Sequence, residues 1–99
     1  MAKSKKLRNS AKGADCQVRI PGICNFNNET TIPAHIAKGG TGQKSDDLFI
    51  AHCCSDCHAA IDGQTRTEYT YDELRLMAYD GMVRTQQIGL SIGNIKVPA

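Results

Sequence analysis

Tryptophan is missing from this sequence, and only two of its 99 residues are phenylalanine. A chain so short and so poor in large aromatics buries only a small apolar core. Domains of this size often draw extra stability from a metal or from disulfides. No hydrophobic run is long enough to cross a bilayer. The charged N-terminus has no apolar stretch behind it, so it does not read as a secretory signal. The expected compartment is the cytoplasm, where thiols stay reduced. Asn28-Glu29-Thr30 fits the glycosylation acceptor pattern, which has no meaning without secretion. Internal repeats and low-complexity segments are absent as well. With 40% apolar residues the chain still suits one folded domain rather than a disordered segment.

Cysteine, by contrast, is abundant. Five in one short chain, an odd number in a reducing compartment, argue for metal ligation rather than disulfides. Cys16-x7-Cys24 and Cys54-x2-Cys57 are two pairs separated by 29 residues. A structural zinc ion takes four such ligands in a tetrahedron. The second pair forms a tight knuckle at an expected helix start. The first is looser, but the Pro21-Gly22 turn brings its ends together. Cys53 and Cys54 are neighbours on extended chain and point opposite ways, so one of them is spare. Spacing to Cys57 favours Cys54 as the ligand and leaves Cys53 as a small buried hydrophobe. Cys16, Cys24, Cys54 and Cys57 are therefore the predicted ligands of a structural Zn2+. Cys54-Ser-Asp-Cys57-His58 also matches the attachment pattern of c-type haem. That attachment normally needs export, and it would leave Cys16 and Cys24 without a role. The formal charge is +2, and four thiolates together with a zinc ion bring it to zero. Where the charges sit thus matters more than their sum.

Residues 1–15 carry Lys3, Lys5, Lys6, Arg8 and Lys12, with Asp15 as their only acid. They read as a mobile basic arm with at most a short helical turn, and residues 16–99 as the folded domain. Such an arm either neutralises nucleic-acid phosphates or merely solubilises the terminus. Beyond it, residues 16–24 suggest a short hairpin or knuckle. Residues 31–36 suggest a strand ending near His35, and a flexible loop from Gly39 runs to Asp47. Residues 48–52 suggest a second strand. Residues 54–62 suit a helix with Ser55 as N-cap and Gly63 as its stop. The longest helix is predicted over 70–91, opened by a capping box of Thr70 and Glu73. On it Leu74, Met77, Ala78, Met82 and Val83 share a face, while Gly81 weakens its continuity. Residues 94–97 form a final strand or a tail.

Between Pro33 and His58 the chain reads Ala34-His35-Ile36, then Gly39-Gly40, then Asp47-Leu48, then Cys54-x2-Cys57-His58. This order resembles the HNH, or His-Me finger, nuclease superfamily. There a His ends a first strand, a glycine-containing loop follows, and Asn or a similar residue precedes a second strand. A knuckle ending in Cys-His or Cys-Asn then opens the metal-binding helix. With Cys-Gln-Val-Arg-Ile-Pro-Gly from Cys16 and Arg-Thr-Gln from Arg84, the chain is similar to small phage and prophage nucleases of the YbcO kind. The similarity covers most of residues 11–97. It implies a small α+β fold: a ββα-metal core with a zinc clamp and a long C-terminal helix. It also implies a metal-dependent DNA endonuclease of phage or prophage origin, acting in recombination or DNA processing. DNA is then the partner, with a recombination protein as a further one.

Phosphodiester hydrolysis needs an activated water and something to stabilise charge on the phosphoryl group and the leaving oxygen. A neutral His is the natural base near pH 7, and the resemblance assigns that role to His35. It places Asp47 where the family's Asn orients the base, with Asp46 beside it as a rival. A divalent cation, Mg2+ or another, supplies the rest. His58 and Asp62 lie four apart on the expected helix, about 5–6 Å between Cβ atoms, so both reach one ion, as paired ligands do in this superfamily. Two other readings of His58 stay open: a group beside the zinc, or the fourth zinc ligand in place of a cysteine. Asp62 also reads as a plain solvent-facing residue, and His52 as structural or exposed.

One position departs from the pattern. Many superfamily members carry a metal-ligating Asp or His just before the base, and here that position is Ala34. The ion would keep two protein ligands and complete its shell with water and phosphate, which Mg2+ accepts. Lys3, Lys5, Lys6, Arg8 and Lys12, helped by Arg19, Lys38 and Lys44, are expected to hold the DNA backbone. The alternative function is a non-catalytic zinc module binding nucleic acid or protein. It would use the same cysteines and basic arm, and would need neither His35 nor Asp62.

Overall fold

Two short antiparallel strands organise the chain. The computed structural model describes residues 3–36 and 46–98. The elements are α1 (Lys5–Asn9), β1 (Ile32–His35), β2 (Ile50–Cys53), α2 (Ser55–Ile61) and α3 (Tyr71–Ile92). Single 3-10 turns at Asn28–Thr30 and Asp47–Phe49 precede the two strands. The expected glycine-rich loop, with Lys38 and Lys44, lies outside the described residues. Among the described residues this is a small α+β structure with a two-stranded sheet and a long C-terminal helix. No helix among them is long and apolar enough to cross a membrane.

Register determines what each face carries. Ile32 pairs with Cys53, Pro33 with His52, Ala34 with Ala51, and His35 with Ile50. The Ile36 N–H donates to the Phe49 carbonyl at 2.8 Å, which sets the phase of the ladder. Pro33 and His52 therefore form a pair that exchanges no hydrogen bonds, where a residue without an N–H costs nothing. The outer edge of β2 is closed as well. The His52 N–H donates to Thr85 Oγ1 at 3.0 Å, and the His52 carbonyl accepts the Gln17 N–H at 2.7 Å. Alternation along the strands puts Ala34, Ala51 and Cys53 on one face, in the core with Val18, Ile20, Leu74 and Ala78. His35, Ile50 and His52 take the other face, against α1 and the C-terminal half of α3.

The N-terminal segment carries the short helical turn, α1, at Lys5–Asn9. Ser4 caps α1, its hydroxyl accepting the Leu7 N–H at 3.2 Å. Leu7 and Ala11 are buried, and that apolar packing holds the basic helix on the body. Two open alternatives are decided, and one strand boundary shifts. Residues 16–24 form no hairpin; the Ile20 carbonyl accepts both the Ile23 and Cys24 N–H groups, with Gly22 at φ 78. The second strand starts at Ile50 because Asp46 Oδ1 accepts the Leu48 N–H at 2.9 Å and winds the preceding residues into a turn. Residues 94–97 form no strand; Ile95 folds back so that its N–H donates to the Gly89 carbonyl at 3.0 Å.

Helix α2 begins one residue earlier in its logic than expected: Cys54, not Ser55, is the N-cap, its sulfur accepting the Cys57 N–H at 3.4 Å. It ends in a Schellman arrangement around Gly63, whose φ is 76, with bonds from Gly63 N to Ala60 O and from Gln64 N to Ala59 O. Helix α3 starts with the predicted capping box, Thr70 N–H to Glu73 Oε1 at 2.8 Å and Glu73 N–H to Thr70 Oγ1 at 3.1 Å. Its buried residues are Leu74, Ala78, Gly81, Thr85 and Gly89. Met77 and Met82 pack at the margin of the core, whereas Val83 is exposed. Small residues, not the bulkiest apolar ones, mark the face that approaches the sheet.

Candidate functional site

Four sulfurs converge where the 16–24 turn meets the start of α2. The Sγ atoms of Cys16, Cys24, Cys54 and Cys57 all lie within 4.8 Å of one another. A Zn–S bond of about 2.3 Å in a tetrahedron places its sulfurs about 3.8 Å apart, and Cys54 Sγ and Cys24 Sγ are 3.9 Å apart. The cluster is therefore of a size to hold one metal ion such as zinc. Backbone donors aim at the same atoms: Arg19 N–H at Cys16 Sγ and Cys57 N–H at Cys54 Sγ, each at 3.4 Å. Phe26 N–H bonds to Cys24. Among the described residues, Arg19 and Phe26 are the two non-glycine residues with positive φ, at 51 and 54. Their strained backbones turn N–H groups toward sulfur, as thiolate ligands require.

The thiols influence one another strongly. Cys16 is held far below the usual thiol range, first by bonds from the Cys53 and Cys57 thiols. Cys57 and Cys53 are pushed up, first by giving those bonds to Cys16 and next by burial. Burial is the main cause pushing Cys24 up to about 11. A cluster of this kind suits a dication, which favours the thiolate at every ligand. Cys53 is fully buried in the core and stays outside the group of four.

A second constellation lies at the end of β1. His35 Nε2 is 2.9 Å from Asp47 Oδ1. The other carboxylate oxygen accepts the Ser4 N–H at 2.7 Å and a bond from Arg8 Nη1. Asp47 is only 3% exposed, whereas His35 is partly open to solvent at 29%. Burial pushes the Asp47 carboxyl up, but the His35 bond, the Ser4 N–H and the Arg8 guanidinium outweigh it and hold it below the ordinary 3.8. Asp46, the rival acid, caps the 3-10 turn through Oδ1. Ala34, next to His35, points into the core and is 3% exposed. A ligand at that position would face the wrong side of the sheet.

His58 on α2 and Asp62 at its C-cap lie one turn apart, His58 Nε2 3.1 Å from Asp62 Oδ2. His58 is not among the four clustered ligands. Asp47 lines a cavity with Leu7, Ile50, His52 and Thr85, and Asp62 lines a different one with Arg66, Tyr71 and Leu74; neither includes His35 or His58. His52 is buried at 2% exposure, with Nε2 3.0 Å from Ser10 Oγ, and burial lowers its basicity. Of the basic residues expected on DNA, Lys3, Lys5, Lys6 and Lys12 are exposed. Arg8 is engaged by Asp47, and Arg19 donates to Cys16 O and Gln17 Oε1.

Little in the sequence announces that Ser4 and Arg8 join the Asp47 cluster. The serine at the start of a short amphipathic turn, with Arg8 one turn on, was the only local signal. Thr85, which closes the edge of β2, was legible only as part of the Arg84-Thr85-Gln86 stretch.

The described residues form a small α+β domain with a two-stranded sheet, four cysteines clustered closely enough to hold a metal ion, and a buried aspartate against a partly open histidine. The chain belongs to the family described as "Putative nuclease YbcO", whose pattern it matches over residues 5–94. It is 47% identical over 94 residues to the "Putative nuclease YbcO" of Escherichia coli K12, covering 91% of this chain and 96% of that protein. The same identity and coverage hold for the "Putative nuclease ybcO" of Enterobacteria phage 82. A solved structure, described as a putative bacteriophage protein from Escherichia coli K-12 MG1655, superposes with a TM-score of 0.75 at 43% identity. It covers 89% of this chain and 100% of that one.

Proposed function

We propose that this chain is a metal-dependent DNA endonuclease of the HNH type, of phage or prophage origin, acting in recombination or DNA processing. The observation that carries the reading is the approach of His35 Nε2 to a buried Asp47 carboxylate at 2.9 Å. A binding module has no need to bury a carboxylate against a solvent-reaching imidazole, since an ionised group removed from water is costly without several partners. With Nε2–H donating to Asp47, Nδ1 is the nitrogen left to take a proton from the attacking water. Asp47 holds the ring in that tautomer and stabilises it once protonated. The succession β1, β2, α2, with His35 at the end of β1 and His58 on α2, supports a ββα-metal core.

His58 and Asp62 would hold a divalent cation, Mg2+ or another, whose chemistry there is to neutralise charge on the phosphoryl and leaving oxygens. Cys16, Cys24, Cys54 and Cys57 would hold a structural Zn2+ that staples the 16–24 turn to α2. The second reading, a non-catalytic zinc module, is favoured by Ala34, whose place in the core leaves the cation two protein ligands.

A plasmid-nicking assay separates the two. The protein is expected to nick DNA only with added divalent cation. His35→Ala should abolish nicking with zinc content and folding intact, and Asp62→Ala should raise the cation concentration required. No cation-dependent cutting of plasmid, branched or single-stranded DNA by the unmutated protein would transfer the assignment to the binding module.

A further inference from the structure

We propose that Arg8 is a positioning residue for the His35–Asp47 pair, acting through Asp47 to keep the His35 imidazole neutral and able to accept a proton. The inference rests on the reading of His35 as the base. Asp47 receives partners from two separate parts of the chain: His35 at Oδ1, and the Ser4 N–H and Arg8 Nη1 at Oδ2. Ser4 is the N-cap of α1 and Arg8 lies one turn further, so both reach the carboxylate from one side of a single helix. Leu7 and Ala11, buried under that helix, fasten it in place. The basic segment is thus a wall of the site, and its arginine is committed inward rather than to a phosphate.

The electrostatic consequence follows from charge order. A carboxylate alone beside an imidazole favours the imidazolium, which is useless as a base. A guanidinium on the far oxygen opposes that pull while leaving the orienting hydrogen bond in place. Among the described residues, few other charged groups face the pair. His52 shares the sheet face but is buried against Ser10. Asp46 is turned to the Leu48 N–H. From α3, Arg75 donates to the Ile36 carbonyl and lies over the Tyr79 ring. Lys5 and Lys6 are exposed on α1.

The test uses the zinc-loaded full chain carrying Arg8→Gln, Arg8→Lys, Asp47→Asn, or Arg8→Gln with Asp47→Asn. Two quantities are read: the acid limb of the cutting–pH profile, and the midpoint of the His35 ring titration by NMR. Arg8→Gln should move both to higher pH, with cutting regained in alkaline buffer. Arg8→Lys should restore both. In the Asp47→Asn background, Arg8→Gln should move the midpoint by much less, because the coupling runs through the carboxylate. Weaker DNA affinity with neither quantity moved would make Arg8 a phosphate ligand and overturn the proposal. Cutting reduced equally at every pH, with the midpoint unmoved, would make it a scaffold residue and overturn it too. The NMR midpoint does not depend on cutting. A shifted midpoint in a protein that cuts nothing upholds the coupling and rejects the nuclease reading, whereas cutting without a shift rejects the coupling alone.

Discussion

A Cβ placed on Gly81 of α3 would lie 2.7 Å from Val18 Cγ2 and 2.9 Å from Val18 Cα. Val18 stands between Cys16 and Ile20, so this close approach seats the long helix directly on the turn that carries half of the cysteine clamp. Thr85, one turn further along α3, bonds the backbone of His52 from the same face. The glycine that weakens the helix in isolation lets it reach the backbones it must touch.

Gly81→Ala is therefore expected to destabilise the protein by roughly 1–2 kcal/mol, overpacking exceeding the gain in helix propensity. Val18→Ala should not rescue it, because the Val18 backbone Cα and N also oppose the new methyl group, at 2.9 and 3.0 Å. Chemical denaturation of the single and double variants measures both. Full rescue by Val18→Ala would show that only the side chain opposes the helix.

The purified protein should carry about one zinc per chain, as one set of four thiolates implies. Cys57→Ser should lose metal and fold together, and a chelator should unfold the unmutated chain. Cys53→Ala and His58→Ala should keep the metal, since neither belongs to the group of four. Elemental analysis and circular dichroism decide, and a metal-free His58→Ala protein would move that histidine into the zinc site.

Asp47 makes stability depend on acid. Its carboxyl is held below 3.8 in the fold, so as pH falls the unfolded chain takes up that proton first. The contribution is present above the unfolded value and is lost as pH drops through the lower folded one. Asp47→Asn should cost about 2 kcal/mol near neutrality, the scale of charge-assisted hydrogen bonds. Its deficit relative to the unmutated protein should shrink below pH 3.8. Urea unfolding at a series of pH values measures the gap, and a constant gap would exclude this linkage.

Of the described residues expected on DNA, the exposed lysines on and around α1 remain as candidates for binding phosphate. Changing Lys3, Lys5, Lys6 and Lys12 to Gln should flatten the dependence of DNA affinity on salt, by about 0.9 in log–log slope for each phosphate no longer neutralised. The lysine changes, unlike deletion of residues 1–12, leave Ser4 and Arg8 on Asp47. An unchanged slope would make these lysines solubilising charges.

Whatever depends on near neighbours is legible along the chain. The cysteine spacing announced the group of four, Thr70 and Glu73 announced the start of α3, and the β-branched run placed a strand ending at His35. Each is a matter of a few residues along one backbone, where residue type and spacing dictate geometry. The remainder depends on residues far apart in the chain. Arg8 and Asp47 are 39 positions apart, so nothing local distinguishes an arginine that holds a buried acid from one that would bind a phosphate. Asp46 and Asp47 are chemically alike, and only the turn between the strands decides that the second faces His35. Val83 looked like a core residue and Gly81 like a defect. Their roles are reversed because the approach of α3 to Val18 and His52 is limited by steric contact between backbones, which no apolar periodicity along a single helix encodes.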